Sequence, residues 1–165
     1  MAEDSKNLRL DAGLDQVDRK IVEELQVNGR VTNAELAERV GVAASTCIAR
    51  VRSLVSRGII KGFTASVDPR AMGLGLQVLV SVTVRSGARQ RISELSDELR
   101  SLPEVMQLFF LGGVEDFIIH LAVRDSDHVR DFVMEHLSAH PAVSSTRTSI
   151  VFSHHQNPVQ APDAR

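Results

Sequence analysis

The sequence predicts an α+β protein in two parts. A helix-turn-helix domain, winged-helix-like, comes first, and a split β-α-β-β-α-β domain of the ferredoxin-like kind follows. Three observations predict this. Up to about residue 60, apolar residues recur at helical spacing in three short runs punctuated by glycines. From Gln77 the period changes to two, with Val78, Val80, Val82 and Val84 alternating against Leu79, Ser81 and Thr83. Two helical stretches then alternate with three further strand-like runs in the split β-α-β order.

The elements follow in order. Residues 1–13 are polar and aperiodic and read as a flexible arm. Asp15 is a suitable N-cap for a first helix, with Asp18 in its first turn and Val17, Ile21, Val22 and Leu25 on one stripe. Asn28-Gly29 is expected to close it as a left-handed C-cap. Thr32 and Glu35 form a capping box for a second helix, whose inner stripe is Leu36, Ala37 and Val40. Gly41 stops it. A third helix runs from about Ala44 to Ser56, with Cys47, Ile48, Val51, Leu54 and Val55 inward, and ends at Gly58. Ile59 to Val67 reads as a short extended segment, a small wing, broken by Asp68-Pro69. Gly73-Leu74-Gly75 eases a turn into the first strand.

After that strand, Ile92, Leu95, Leu99 and Leu102 mark a helix closed by Pro103. Val105–Leu111 and Phe117–Val123 form a hairpin around Gly112 to Asp116. Ser126 to Ala139 is helical, with Val129, Phe132, Val133 and Leu137 inward, and Val143–Phe152 alternates as the last strand. Both helices of such a sheet cover one face. Leu79, Leu108 and Phe110 are expected on the other, making it too apolar for water and fit for an isologous dimer.

Composition narrows the function. The chain has 165 residues, 43% of them hydrophobic, and a formal charge of −2, so any nucleic-acid binding must be local to one segment. Without Trp or Tyr, stacking on single-stranded bases is a poor fit. A lone Cys47 allows neither an intrachain disulfide nor a multi-cysteine zinc site. There is no signal-peptide core and no apolar run near the ~20 residues that span a bilayer, so a cytoplasmic protein with no membrane association is expected. Local charge is the exception to this neutrality. From Arg39 to Val67 there is no acid, while Arg50, Arg52, Arg57 and Lys61 gather there, which suggests a partner of opposite sign.

In this order the motifs carry a resemblance. LDQVDRKIVEELQVNGR, NAELAERVGVAASTCIARVRSLVSRGIIKGFTA, the loop GGVEDF and the strand TRTSIVF together resemble the leucine-responsive regulatory protein / AsnC family of transcription regulators, over Leu14 to Phe152. One departure is Ala43-Ala44, where the family usually carries a Ser or Thr cap and often a proline. The resemblance implies a sequence-specific DNA-binding regulator, not an enzyme, with no cofactor but an amino-acid effector. It also implies a homodimer, assembling further to a tetramer or octamer, on a pseudo-palindromic double-stranded operator. The expected division is an arm (1–13), a helix-turn-helix domain (14–61), a linker (62–73), an effector-binding and oligomerisation domain (74–152) and a polar tail (153–165).

The candidate site residues fall in two groups. On the third helix, Ala44, Ser45 and Thr46 are small enough to enter a major groove and bond base edges or phosphates. Arg50 is placed to reach a guanine edge or a phosphate, and Arg52, Arg57 and Lys61 to hold phosphates. In the second domain, the resemblance puts the effector at Gly112, Gly113 and Asp116. There glycine exposes backbone groups, and Asp116 can hold an α-ammonium. The plainer reading is that the glycines make the hairpin and Asp116 caps it. Thr148, Ser149 and Ile150 correspond to family response positions.

Other chemistry is poorly supported. The second domain has no catalytic constellation or phosphate loop, and although His128, His136 and His140 can be offered as a metal set, with His136 and His140 at i,i+4 on one helical face, no third ligand or carboxylate pattern is compelling. Cys47 invites a redox-sensor reading but lies on an inner stripe. The rival function is a small-molecule sensor acting on a protein partner. A salt-dependent DNA shift separates the two readings.

Overall fold

The computed structural model describes residues 13–160, so most of the expected arm and the last five residues of the tail lie outside the described residues. The described residues form two compact units. The first holds residues up to Ala65 together with those from Gln156; the second runs from Ser66 to His155.

The first unit contains α1 (Gln16–Val27), α2 (Asn33–Val40) and α3 (Ala44–Ser56). Asp15 caps α1 by accepting the Asp18 N–H. Both arms of the Thr32–Glu35 capping box are made at α2. Gly41 ends α2 at φ 75°, a left-handed conformation that favours glycine, and its N–H returns to Ala37 and Glu38. Ile21, Leu36, Ala37, Val40, Cys47 and Leu54 form the core, with Val17, Val22, Leu25 and Val51 against it.

Three expectations in this unit are corrected. Asn28 is extended (φ −142°, ψ 92°) and Gly29 lies outside the left-handed region. The chain leaves α1 instead through a turn in which Asn28 Oδ1 accepts the Arg30 N–H. Val55 is 44% exposed rather than inward. Ile59–Val67 forms no strand: Ile59 and Ile60 fold back on the core, both donating to Leu54 O, and no ladder follows. In the segment expected as a polar tail, Val159 exchanges two backbone hydrogen bonds with the Gln26 side-chain amide.

The second unit begins with a 3-10 turn, Pro69–Met72, ended by Gly73 at φ 82°. It then runs β1 (Leu76–Val84), α4 (Ile92–Ser101), β2 (Val105–Phe110), β3 (Phe117–Val123), α5 (Ser126–Phe132) and β4 (Val143–Ile150). The sheet order is β2-β3-β1-β4, every neighbouring pair antiparallel, as the split pattern requires. Val78, Val80, Val82 and Val84 face the helices and meet Phe117, Ile119, Leu121, Leu95, Leu99 and Phe132 in one core.

α5 does not run on unchanged to Ala139. It passes into a π-helical turn, Val133–Ser138, with Ala139 N–H donating to Met134 O. A wider turn of this kind brings residues five apart onto one side, and Phe132 and Leu137 are both buried.

The second face of the sheet also differs from expectation. Leu108 and Phe110 lie opposite Ile119 and Phe117, on the helix side, and the rings of Phe110 and Phe117 are 5.3 Å apart. A register shift between Val105 and Gln107 is the cause: one extra residue there flips the alternation of all that follows. Phe109, opposite Ile118, takes the open face instead, the face that also carries Leu79.

Candidate nucleic-acid interface and ligand loop

The first turn of α3 is open. Ala44, Ser45 and Thr46 are exposed, and the preceding Ala43 makes no side-chain cap bond. An uncapped helix start leaves N–H groups for an outside acceptor, and the helix dipole favours an anion there.

The basic residues of α3 divide. Arg52 and Lys61 are exposed and form no ion pair with a described residue. Arg50 turns back to α1, its Nη1 donating to Asp15 Oδ2 at 2.5 Å and Asp18 Oδ1 at 2.9 Å. Arg57 Nη1 lies 3.9 Å from the other oxygen of Asp18, whose side chain is only 9% exposed. The Asp18 backbone N–H, then Arg50, holds the Asp15 carboxyl below the usual range, and the Arg50 guanidinium is raised by Asp15 and Asp18. Arg39 pairs with Glu24 at 2.9 Å. So three of the cations in the acid-free run find acids on α1. Asp15 and Asp18, three residues apart at the start of α1, were the visible signal. Burial of Cys47 pushes its thiol up, away from the thiolate a redox sensor needs.

The ligand loop has different properties. Gly112 and Gly113 are exposed, neither has a positive φ, and a Cβ on either would meet nothing within 4 Å. The hairpin therefore does not require glycine at these positions. What the missing side chains leave is reachable backbone. Asp116 is tied to β1: its Oδ2 accepts the Val84 N–H at 2.7 Å and its own N–H donates to Val82 O at 2.9 Å. This fastens the loop to the sheet and leaves one carboxylate oxygen for other partners.

Thr148, Ser149 and Ile150 are exposed on the edge strand β4. They pair with Val80, Leu79 and Val78, so Thr148 and Ile150 share the helix side and Ser149 the open side. Asp116 sits at the Val82–Val84 end of β1, roughly 7–20 Å further along at strand spacing. Within one chain the structure does not bring the two sets together. It brings up another residue instead: Arg147 of β4, whose Nη1 is 3.6 Å from Glu115 Oε1 in the loop. Sequence reasoning missed this pair, although Arg147 is the only charged residue of β4.

On the open face, His120 is 3% exposed, with its Nε2 2.9 Å from Gln77 Oε1. Burial, and then His154, pushes its imidazole down. Among the described residues no group of three or more His, Cys, Asp or Glu side chains is placed to hold a metal ion. No helix there is long and apolar enough to cross a membrane.

A helix-turn-helix with an open second helix, in one chain with a sheet carrying an open glycine loop, belongs to the class of DNA-binding regulators with a ligand-sensing domain. Known proteins place it more closely. Residues 14–61 match the winged helix-turn-helix DNA-binding model and residues 77–159 match the Lrp/AsnC ligand binding domain. The chain is 46% identical over 141 residues to the HTH-type transcriptional regulator AldR of Mycolicibacterium smegmatis, covering 86% of this chain and 82% of that protein. It is 35% identical over 138 residues to the leucine-responsive regulatory protein of Escherichia coli, covering 84% of each. A crystal structure of a transcriptional regulator from Neisseria meningitidis in complex with L-Met superposes with a TM-score of 0.80 at 33% identity, covering 90% of this chain and 96% of that one. The chain belongs to the Lrp/AsnC family: it is a DNA-binding transcriptional regulator with a ligand-binding domain, and its relatives are regulators rather than enzymes.

Proposed function

We propose that this regulator binds a pseudo-palindromic double-stranded operator as a homodimer or a larger assembly of dimers, and that an amino acid held at Gly112, Gly113 and Asp116 tunes that binding. The carrying observation is the exposed loop whose glycines the hairpin does not need. The L-Met bound to the neisserial relative supports an amino acid as the ligand class.

On the DNA side, Ala44, Ser45 and Thr46 meet base edges, and Arg52 and Lys61 hold phosphates. Arg50 and Arg57 set the angle of α3 through Asp18. In the second unit, Asp116 fixes the loop and offers its free oxygen to the ligand ammonium. Thr148, Ser149 and Ile150 lie on the edge strand, where a second copy can bring them to a neighbouring loop. A ligand that prefers one assembly shifts DNA affinity by that preference and no more.

The test is a binding titration on the promoter region of the protein's own gene, at several salt concentrations, with and without each common amino acid. A specific, salt-dependent shift altered by one amino acid supports the reading. A specific shift that no amino acid alters removes the sensing half, and no specific shift at low salt returns the protein-partner alternative.

A further inference from the structure

We propose that Arg147 is the carboxylate anchor for the amino-acid effector and that Glu115 holds it ready, an assignment that rests on the ligand-binding role of the Gly112–Asp116 loop. Arg147 stands opposite Ser81 on β4, and Ser81 stands opposite Ile118, so all three share the open face of the sheet. From there its Nη1 reaches to 3.6 Å from Glu115 Oε1, two residues beyond Gly113.

The side chain remains 77% exposed, against 30% for Glu115. At that distance the contact is an ion pair without a well-formed hydrogen bond, and most of the guanidinium fork is open. A planar fork with parallel N–H groups fits a carboxylate in two bonds, which the backbone N–H groups of a glycine loop do not reproduce.

The ligand chemistry fits the pair. An α-amino acid carries a carboxylate and an ammonium on one carbon. Entering beside the loop, it exchanges Glu115–Arg147 for carboxylate–Arg147 and an ammonium shared between Glu115 and the free oxygen of Asp116, with no change in net charge. Asp116 has one oxygen committed to Val84, so Glu115 is the loop acid least engaged by the sheet. The arrangement selects zwitterions over simple amines, amides or acids.

The experiment uses the full chain and calorimetric titration. Each proteinogenic L-amino acid is screened on the wild type, and the tightest binder is compared with its α-amide and its decarboxylated amine. The amide and amine should bind the wild type about 10–100-fold more weakly than the acid, the loss of one charge-assisted contact. Arg147→Gln should weaken the amino acid by a similar factor while leaving amide binding unchanged, and Arg147→Lys should recover part. Glu115→Gln should weaken the amino acid and the amine together. The assignment is overturned if Arg147→Gln binds the amino acid as tightly as wild type, or loses amino acid and amide equally, which marks a structural role. If no amino acid binds the wild type, the ligand role of the loop itself falls, and the anchor with it.

Discussion

Arg50 lies in the middle of α3, yet its charge is spent inside the domain on Asp15 and Asp18. A count of charges along the chain cannot see this, because the two acids precede it by more than thirty residues and meet it only after α1 packs on α3. The same limit hid Arg147 and Glu115, which are 32 residues apart in sequence and paired only through the sheet. Residues whose role is set by their neighbours in sequence were legible, such as Thr32 with Glu35 or Gly41 after α2. A direct comparison follows. Arg50→Ala leaves the buried Asp18 short of its nearest cation and should lower the unfolding midpoint of the chain, with DNA affinity falling as a consequence of the displaced helix. Arg52→Ala should leave the midpoint unchanged, weaken DNA binding about equally across sequences, and reduce the salt slope by about 1. Thermal melts and salt-dependent titrations of both variants check the assignment; equal melts would return Arg50 to the DNA.

At the scale of elements, the helices and strands were readable wherever caps and alternation agree. α3 runs from Ala44 to Ser56, as its position between Gly41 and Gly58 predicts, and the four valines of β1 face the core. Two features had no such signal. The bulge at Val105–Gln107 inverts β2, because apolar residues on both sides of it, Val105, Met106, Leu108, Phe109 and Phe110, fit either alternation. The π turn follows from packing Phe132 and Leu137 on one side, which a sequence period does not announce. The sequence of the hairpin after β2 fits both a ligand loop and a capped turn. Asp116 accepts the Val84 N–H, so it is at least the cap. Asp116→Ala should therefore cost about 1.5–3 kcal/mol in a denaturant melt, for the loss of a hydrogen bond to a charged acceptor. Asp116→Asn keeps an acceptor oxygen for Val84 and should cost less, while still removing the charge offered to the ligand. A response to amino acid that survives in the Asn variant would confine Asp116 to the cap.

For the molecule as a whole, the open face of the sheet sets what a single chain can do. β1, at the interior of the sheet, puts Leu79 on that face, β3 adds Ile118, and Phe109 of β2 is 46% exposed beside them. This is a different set from the one the sequence suggested. Phe109 pairs with Ile118 and Leu79 lies diagonally from Ile118, with His120 and Ser81 among them, a surface that the proposed self-complementary contact would cover. On the proposed two-fold operator a short helix meets only a few base pairs and one copy covers only half, so the proposed dimer would read DNA through that contact. Leu79→Asp places an uncompensated charge in the patch while leaving the helix-side core of Val78 and Val80 untouched. The variant should fold, sediment near the 18.1 kDa of one chain, and lose binding to a two-half-site operator by far more than binding to nonspecific DNA. Sedimentation velocity and the same titration on both DNAs read the result. An assembly of unchanged mass would show that the copies join through another surface.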